Sequence, residues 1–126
     1  MTAKLGLSAL GILLGACAAY AAEGPDPDGV WMRDDGNAKV RIARCGMSIC
    51  ATNLWIRDTS GGEEVGDKLI MTLNPQSATT LAGKAYDPKR KLNYSVTVTV
   101  EAGRLVTRGC VLGGVVCKNV YWTPAQ

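Results

Sequence analysis

The sequence predicts an all-β fold, an eight-stranded up-and-down antiparallel barrel that follows an export signal. Turn-forming pairs such as Asp35-Gly36 and Gly113-Gly114 recur at short intervals, and the segments between them alternate apolar and polar residues. No stretch has the period of an amphipathic helix of useful length. Because closure removes the edge strands of an antiparallel sheet, the up-and-down order favours a barrel over a sandwich.

The N-terminal segment has the features of a signal peptide. Leu5 to Ala22 carries no charge and ends near Ala19-Tyr20-Ala21, a small-x-small cleavage site. We therefore expect residues 1–21 to be removed and the mature protein to be periplasmic or secreted. Leu14-Gly15-Ala16-Cys17 also resembles the lipobox of bacterial lipoproteins, so the alternative is a membrane-anchored protein lipidated at Cys17.

The remainder reads as a short polar leader, residues 22–28, and a single barrel domain, residues 29–126. The acidic, Gly-rich segment Asp58 to Gly66 is expected to be the most mobile loop. The eight strands are predicted at about 29–34, 37–45, 49–57, 67–73, 79–87, 91–101, 104–112 and 115–123.

Turn positions fix the pairing of the last three strands. With turns at Ala102-Gly103 and Gly113-Gly114, the apolar face stays in phase across all three strands, which specifies the register. Lys118 then lies on the apolar face, beside Gly109 and Val96. On the opposite face, Cys110 lies directly across from Cys117.

The first strands follow the same logic less cleanly. A turn at Asp35-Gly36 pairs Trp31 with Val40, and a turn at Met47-Ser48 places Cys45 opposite Cys50. An even number of cysteines in an exported domain predicts disulfides, here Cys45–Cys50 and Cys110–Cys117. Crossed pairings and a zinc site with loose ligand spacing are the alternatives. The third strand has apolar residues on both faces, so its register is less well defined.

Several motifs together resemble an exported bacterial family that is known only as a domain of unknown function, numbered twenty-one forty-seven. The resemblance covers Gly29 to Thr123 and implies a lipocalin-like (calycin) barrel, with no enzymatic residues to carry over. Pro124 stands where many members have Arg, and the loop between strands three and four looks shorter than usual, which puts a lid role in doubt. The motifs are Gly29-x-Trp31, Asp35-Gly-Asn-Ala-Lys-Val-Arg41-Ile, Cys45-Gly-x-x-x-Cys50, Ala85-Tyr-Asp-Pro88, Thr107-Arg-Gly-Cys-Val-Leu112 and Trp122-Thr.

Composition excludes several classes of function. The chain has no histidine, which removes Ser-His-Asp and Cys-His catalysis and imidazole metal sites. The small, interspersed net charge of the mature chain, +2, argues against nucleic-acid binding. Glu63-Glu64 and Lys89-Arg90-Lys91 are expected to be solvated loop residues. We therefore expect no enzyme, no cofactor and no metal site.

The leading hypothesis is a non-catalytic periplasmic module that binds a small apolar or amphipathic ligand inside the barrel. A lysine on an apolar face next to a glycine could hold an acidic head group, or it could reach the barrel mouth or be turned outward by a bulge at Gly109. The alternative is an envelope protein–protein interaction or inhibitor module that acts through loops or the third strand. Contact with a membrane is expected only if Cys17 is lipidated. The candidate ligand-binding residues are Lys118, Tyr94, Thr107, Trp31 and Trp122.

Overall fold

The computed structural model describes residues 24–126, which form a closed barrel of eight antiparallel strands in up-and-down order. The predicted signal peptide and Cys17 lie outside the described residues. No helix within residues 24–126 is long and apolar enough to cross a bilayer. The strands are β1 (Gly29–Arg33), β2 (Ala38–Cys45), β3 (Ser48–Ile56), β4 (Lys68–Pro75), β5 (Thr80–Asp87), β6 (Leu92–Glu101), β7 (Arg104–Val111) and β8 (Val116–Pro124).

The alternating apolar residues of the strands form the barrel interior, as period-two patterning requires. Leu105 and Val98 are its most completely buried large side chains. The pairings of β6 with β7 and of β7 with β8 match the predicted register, including Gly109 opposite Lys118 and Cys110 opposite Cys117. A short 3-10 turn, Leu112–Gly114, connects the last two strands.

The predicted register of β2 and β3 is wrong by two residues. Cys45 pairs with Ser48, and Cys50 lies opposite Ala43, because the turn is made by Gly46 and Met47. Gly46 has a φ of 70°, a conformation that suits glycine at the first central position of a tight hairpin. Both expected disulfides are nevertheless present, Cys45–Cys50 as a diagonal pair and Cys110–Cys117 as a directly facing pair.

The barrel closes where β1 pairs with β8, and the leader packs across the end beside this seam. The indole nitrogen of Trp31 donates a hydrogen bond of 2.9 Å to the carbonyl oxygen of Pro27, which is itself buried. Gly24 lies against Pro75 so tightly that an added Cβ would be 2.8 Å from the proline ring. This end of the barrel, called the closed end below, is therefore covered by the chain's own leader.

One close approach in the barrel wall requires glycine. A Cβ at Gly83 in β5 would lie 2.0 Å from the carbonyl oxygen of Thr72 in β4. Since no real Cβ contact is that short, β4 and β5 can keep this spacing only while residue 83 lacks a side chain.

Candidate ligand-binding site

Up-and-down topology places four connections at the end opposite the leader, called the lid end below. They are residues 34–37, 57–67, 88–91 and 112–115. A cavity of about 490 Å³ extends from this end into the barrel. That volume is within the range of small-molecule sites in proteins.

The walls of the cavity change from apolar to charged towards the lid end. Its deeper lining is mostly aliphatic, and polar side chains are concentrated near the connections. A pocket of this kind suits a molecule with an apolar body and a polar head. The apolar lining includes Val40, Ile42, Ala51, Leu69, Met71, Val96, Val98, Val120 and Trp122, and the charged lining consists of Arg33, Glu63, Asp67, Lys68, Asp87, Arg90 and Lys118.

Four of the five candidate binding residues line this cavity: Lys118, Tyr94, Thr107 and Trp122. The fifth, Trp31, is buried in the core near the closed end and is not part of the lining. The Trp122 indole nitrogen donates a 3.0 Å hydrogen bond to the Thr107 hydroxyl oxygen, so these two side chains hold one another in place.

Lys118 lines the cavity and is exposed to solvent. The β7–β8 ladder is regular at this point, so no bulge at Gly109 turns the lysine outward. The space expected beside Gly109 is present, because an added Cβ there would meet no atom within 4 Å. Lys118 is thus both part of the cavity lining and in contact with solvent, which is common for long cationic side chains.

The connection between β3 and β4, residues 57–67, crosses the mouth and is called the lid loop below. On the β1 side, the guanidinium of Arg33 donates two hydrogen bonds to the carboxylate of Glu63, at 2.5 and 2.7 Å. The side-chain amide of Asn37 donates to the same carboxylate at 3.1 Å and to the carbonyl oxygen of Asp58 at 3.1 Å.

The opposite side of the lid loop is held by the β5–β6 turn. Lys89 and Arg90 donate to the carbonyl oxygen of Gly62 at 3.2 and 3.0 Å. Lys89 also pairs with Glu64 and Asp67. Because β1 and β5 lie across the barrel from one another, the lid loop is fixed from two sides of the mouth.

One expectation from the sequence is therefore wrong, because Glu63 is a partly buried carboxylate that is bound by Arg33 and not a freely solvated one. Arg33 lies thirty positions away in the chain, so the local composition of the loop gives no sign of this pair. Lys89 and Arg90 are exposed, as expected, but they also bind Asp67 of the lid loop, more than twenty positions away, in addition to the bond between Arg90 and the nearby Asp87.

The ion pairs shift the acidity of the lid carboxylate and its partner. The hydrogen bonds from Arg33 are the largest cause of a lowered pKa for Glu63, and the reciprocal bonds raise the pKa of Arg33 further. Arg33 also bonds Asp35 at 3.0 Å and is the main cause of that residue's lowered pKa, to which the charge of Lys118 adds a smaller part. Both carboxylates are therefore ionised at neutral pH.

Two cations at the mouth have no bonded partner among the described residues. Of the seven charged side chains in the lining, five form ion pairs with one another or with neighbouring loop residues. The other two are Lys68 and Lys118. The described residues contain no cluster of three or more His, Cys, Asp or Glu side chains arranged for a metal.

Of the charged residues at the mouth, only Lys118 was predicted from the sequence to be a binding residue. Arg33 could also have been predicted, because it lies two positions after Trp31 in the same strand and therefore faces the barrel interior as Trp31 does. Asn53, Lys68, Asp87 and Arg90 had no comparable signal, since their place in the lining depends on how the connections fold over the barrel.

Fold and site together define an eight-stranded up-and-down barrel with a lidded internal cavity, apolar in depth and charged at its mouth. The chain belongs to a family described as an uncharacterized protein conserved in bacteria (DUF2147), whose model matches residues 29–124, the whole barrel. Comparisons with curated proteins and with solved structures give no significant match.

Proposed function

We propose that this protein is a non-catalytic binding module for a small amphipathic molecule with an acidic head group, most simply a carboxylate. The apolar body of the ligand occupies the barrel, and its head lies at the mouth beside Lys118. The observation that carries the proposal is a cavity with an apolar depth and a charged mouth, where two lysines have no ion-pair partner among the described residues.

The charge pattern at the mouth supports an acidic head. Glu63, Asp67 and Asp87 are each engaged by Arg33, Lys89 or Arg90. Within residues 24–126, Lys118 and Lys68 have no bonded carboxylate, so an anion entering the mouth meets two cations that are free to bind it, with Asp35 the nearest acidic group to act on Lys118. A ligand with a cationic head group would instead have to displace Arg33, Lys89 or Arg90 from the carboxylate that each of them binds.

The depth of the cavity supports an apolar body. Burial of each methylene group contributes about 0.8 kcal/mol, or roughly a fourfold gain in affinity. We expect affinity for saturated fatty acids to rise by about this factor per added carbon until the chain fills the cavity. An affinity that is independent of chain length would contradict occupation of the barrel.

The decisive test compares cis-parinaric acid with its methyl ester, using their fluorescence on binding. Lys118→Met keeps the length of the side chain and removes its charge. We expect at least a tenfold loss of affinity for the acid and little change for the ester. Lys84→Met is the matched control, because Lys84 is exposed, lies outside the cavity lining and donates to Ser95 at 3.3 Å. The control should bind both probes within twofold of the parent protein.

A second variant tests occupation of the cavity rather than the charge at its mouth. Gly109→Met adds a side chain where an added Cβ meets open space, so the barrel should fold while the cavity shrinks. We expect weaker binding of both acid and ester. Equal binding by the parent, Lys118→Met and Gly109→Met proteins would exclude this cavity as the binding site.

Native mass spectrometry of the protein purified from its own host distinguishes the two candidate functions. A bound small molecule supports the binding module, and a stoichiometric protein partner supports the interaction module.

A further inference from the structure

The connection between β7 and β8 holds apolar side chains in solvent at the mouth of the cavity. Leu112, Val115 and Val116 are 75%, 80% and 53% exposed. We call these three residues the apolar tip. A single exposed apolar residue is ordinary, but three within five positions of one turn are not explained by the packing of the barrel.

The backbone of this turn is unusual for the residues that it carries. Leu112 has a φ of 53°, in the left-handed region that a bulky residue rarely adopts. Cys110 and Cys117 are joined by a disulfide immediately behind the turn. The disulfide constrains the hairpin behind the tip, and the tip side chains remain exposed in this conformation.

The β6–β8 sector that carries the tip is basic. From Pro88 to Pro124 the chain carries six basic residues and one acidic residue, Glu101, which is at the closed end and pairs with Arg104 at 2.6 Å. Lys89 and Arg90 are paired with carboxylates of the lid loop and with Asp87, which leaves Lys91, Arg108 and Lys118 without an ion-pair partner among the described residues. Lys118 lies three residues beyond Val115, roughly 10 Å along a strand. The neighbouring β1–β2 turn contributes acidic side chains, and the charge of Lys118 lowers the pKa of one of them, Asp35.

The tip also borders the part of the mouth that the lid loop does not bind. The side-chain hydrogen bonds of the lid loop reach Arg33 and Asn37 on one side and the β5–β6 turn on the other. Gly109 and Lys118, on the strands below the tip, line the cavity directly. A ligand that leaves past these two residues emerges beside the apolar tip.

We propose that the apolar tip and its flanking cations dock the lid end of the barrel onto an anionic lipid bilayer. The tip inserts among the acyl chains, and Lys91, Arg108 and Lys118 contact the head groups, each such cation adding about fivefold to the affinity. Docking of this kind delivers or collects the amphipathic ligand without its passage through water. The transfer of a ligand rests on the proposed function, whereas the binding to the bilayer does not depend on it. Docking of this kind requires no lipid on Cys17.

The test is flotation of the protein after export from a full-length precursor that carries Cys17→Ser, so that a lipid anchor cannot contribute. The vesicles are phosphatidylcholine alone, or phosphatidylcholine and phosphatidylglycerol at three to one. We expect binding to the anionic vesicles, at least tenfold weaker binding to the neutral ones, and weakening by added salt.

The tip is tested by a double substitution, Leu112→Asn with Val115→Asn, because asparagine tolerates the left-handed conformation. The variant should lose at least tenfold in vesicle binding. Met47→Asn is the matched control, since Met47 is 99% exposed in the β2–β3 turn at the closed end. The control should bind vesicles like its parent. Circular dichroism and the affinity for cis-parinaric acid without vesicles should be unchanged in both.

Three results would overturn the docking proposal: no binding to anionic vesicles, equal binding to both kinds of vesicle, or equal losses in the tip variant and the Met47→Asn control. A dimer that the tip variant abolishes, without vesicle binding, would assign the tip to a protein contact instead. Vesicle binding that depends on the tip, in a protein that binds no fatty-acid probe, would support docking while contradicting the proposed function.

Discussion

Replacing Glu63 by Gln should loosen the lid loop while leaving the barrel intact. The Glu63 carboxylate accepts two hydrogen bonds from Arg33 and a third from Asn37. A glutamine side chain can accept only through its one oxygen, and its NH2 group faces a guanidinium that has nothing but donors. One charge-assisted bond is therefore lost, and the ionic attraction is lost with it.

The size of the effect follows from how far the pair is removed from water. Hydrogen bonds to charged groups contribute about 1.5–3 kcal/mol, whereas exposed ion pairs contribute about 0.2–1 kcal/mol. The side chains of Arg33 and Glu63 are 18% and 31% exposed, between these cases. We expect a cost of about 1.5 kcal/mol, or roughly a tenfold increase in the population with an open lid.

Hydrogen exchange at the lid amides measures this population directly. The amide groups of Gly62 and Gly66 are bonded within the lid region, to the carbonyl oxygens of Thr59 and Asn53, and should exchange about ten times faster in Glu63→Gln. Amides of β6 and β7 should be unaffected.

Glu64→Gln is the control, because the Glu64 side chain is 65% exposed and its partner Lys89 is also exposed. It should accelerate exchange less than threefold. An effect of Glu64→Gln as large as that of Glu63→Gln would refute the reasoning from burial.

Three further predictions concern acidity, packing and covalent structure. The pKa of Glu63 is lowered in the folded protein, chiefly by the hydrogen bonds from Arg33, so its ion pair stabilises the fold above the unfolded pKa of about 4.5 and is lost as pH falls through the lower folded value. Urea unfolding from pH 7 to pH 3 should therefore show a larger loss of stability in the parent protein than in Glu63→Gln, and equal losses would contradict the ion pair's role. Gly83→Ala should lower the free energy of unfolding by about 2 kcal/mol or more because its Cβ overlaps the Thr72 carbonyl, whereas Gly109→Ala, whose Cβ meets open space, should change it by less than about 0.5 kcal/mol. Peptide mapping of the exported protein should find Cys45 linked to Cys50 and Cys110 to Cys117 with no free thiol, and a crossed pair would contradict the hairpin registers.

Local signals were sufficient to predict most of the barrel. The register of β6, β7 and β8 followed from two tight turns and a clean alternation from Tyr94 to Val100, because shifting a strand by one residue would turn its whole apolar face to solvent. The same use of a turn position to predict the register failed at β2 and β3. There the chain turns at Gly46-Met47 rather than at Met47-Ser48, and a register shift between Lys39 and Val40 changes the pairing further along the strands.

The sequence by itself determined the class of fold, the family, the disulfide partners and the position of Lys118 on the inner wall beside Gly109. Each of these depends on neighbours within one hairpin or on motifs read directly along the chain. Only the tertiary structure decided that residues 57–67 cover the mouth, that Glu63 is bound by Arg33, and that Trp31 lies outside the cavity lining. Arg33 and Glu63 are thirty positions apart and meet only because the lid loop folds across the mouth towards the end of β1, so no local pattern of charge or hydrophobicity encodes their contact.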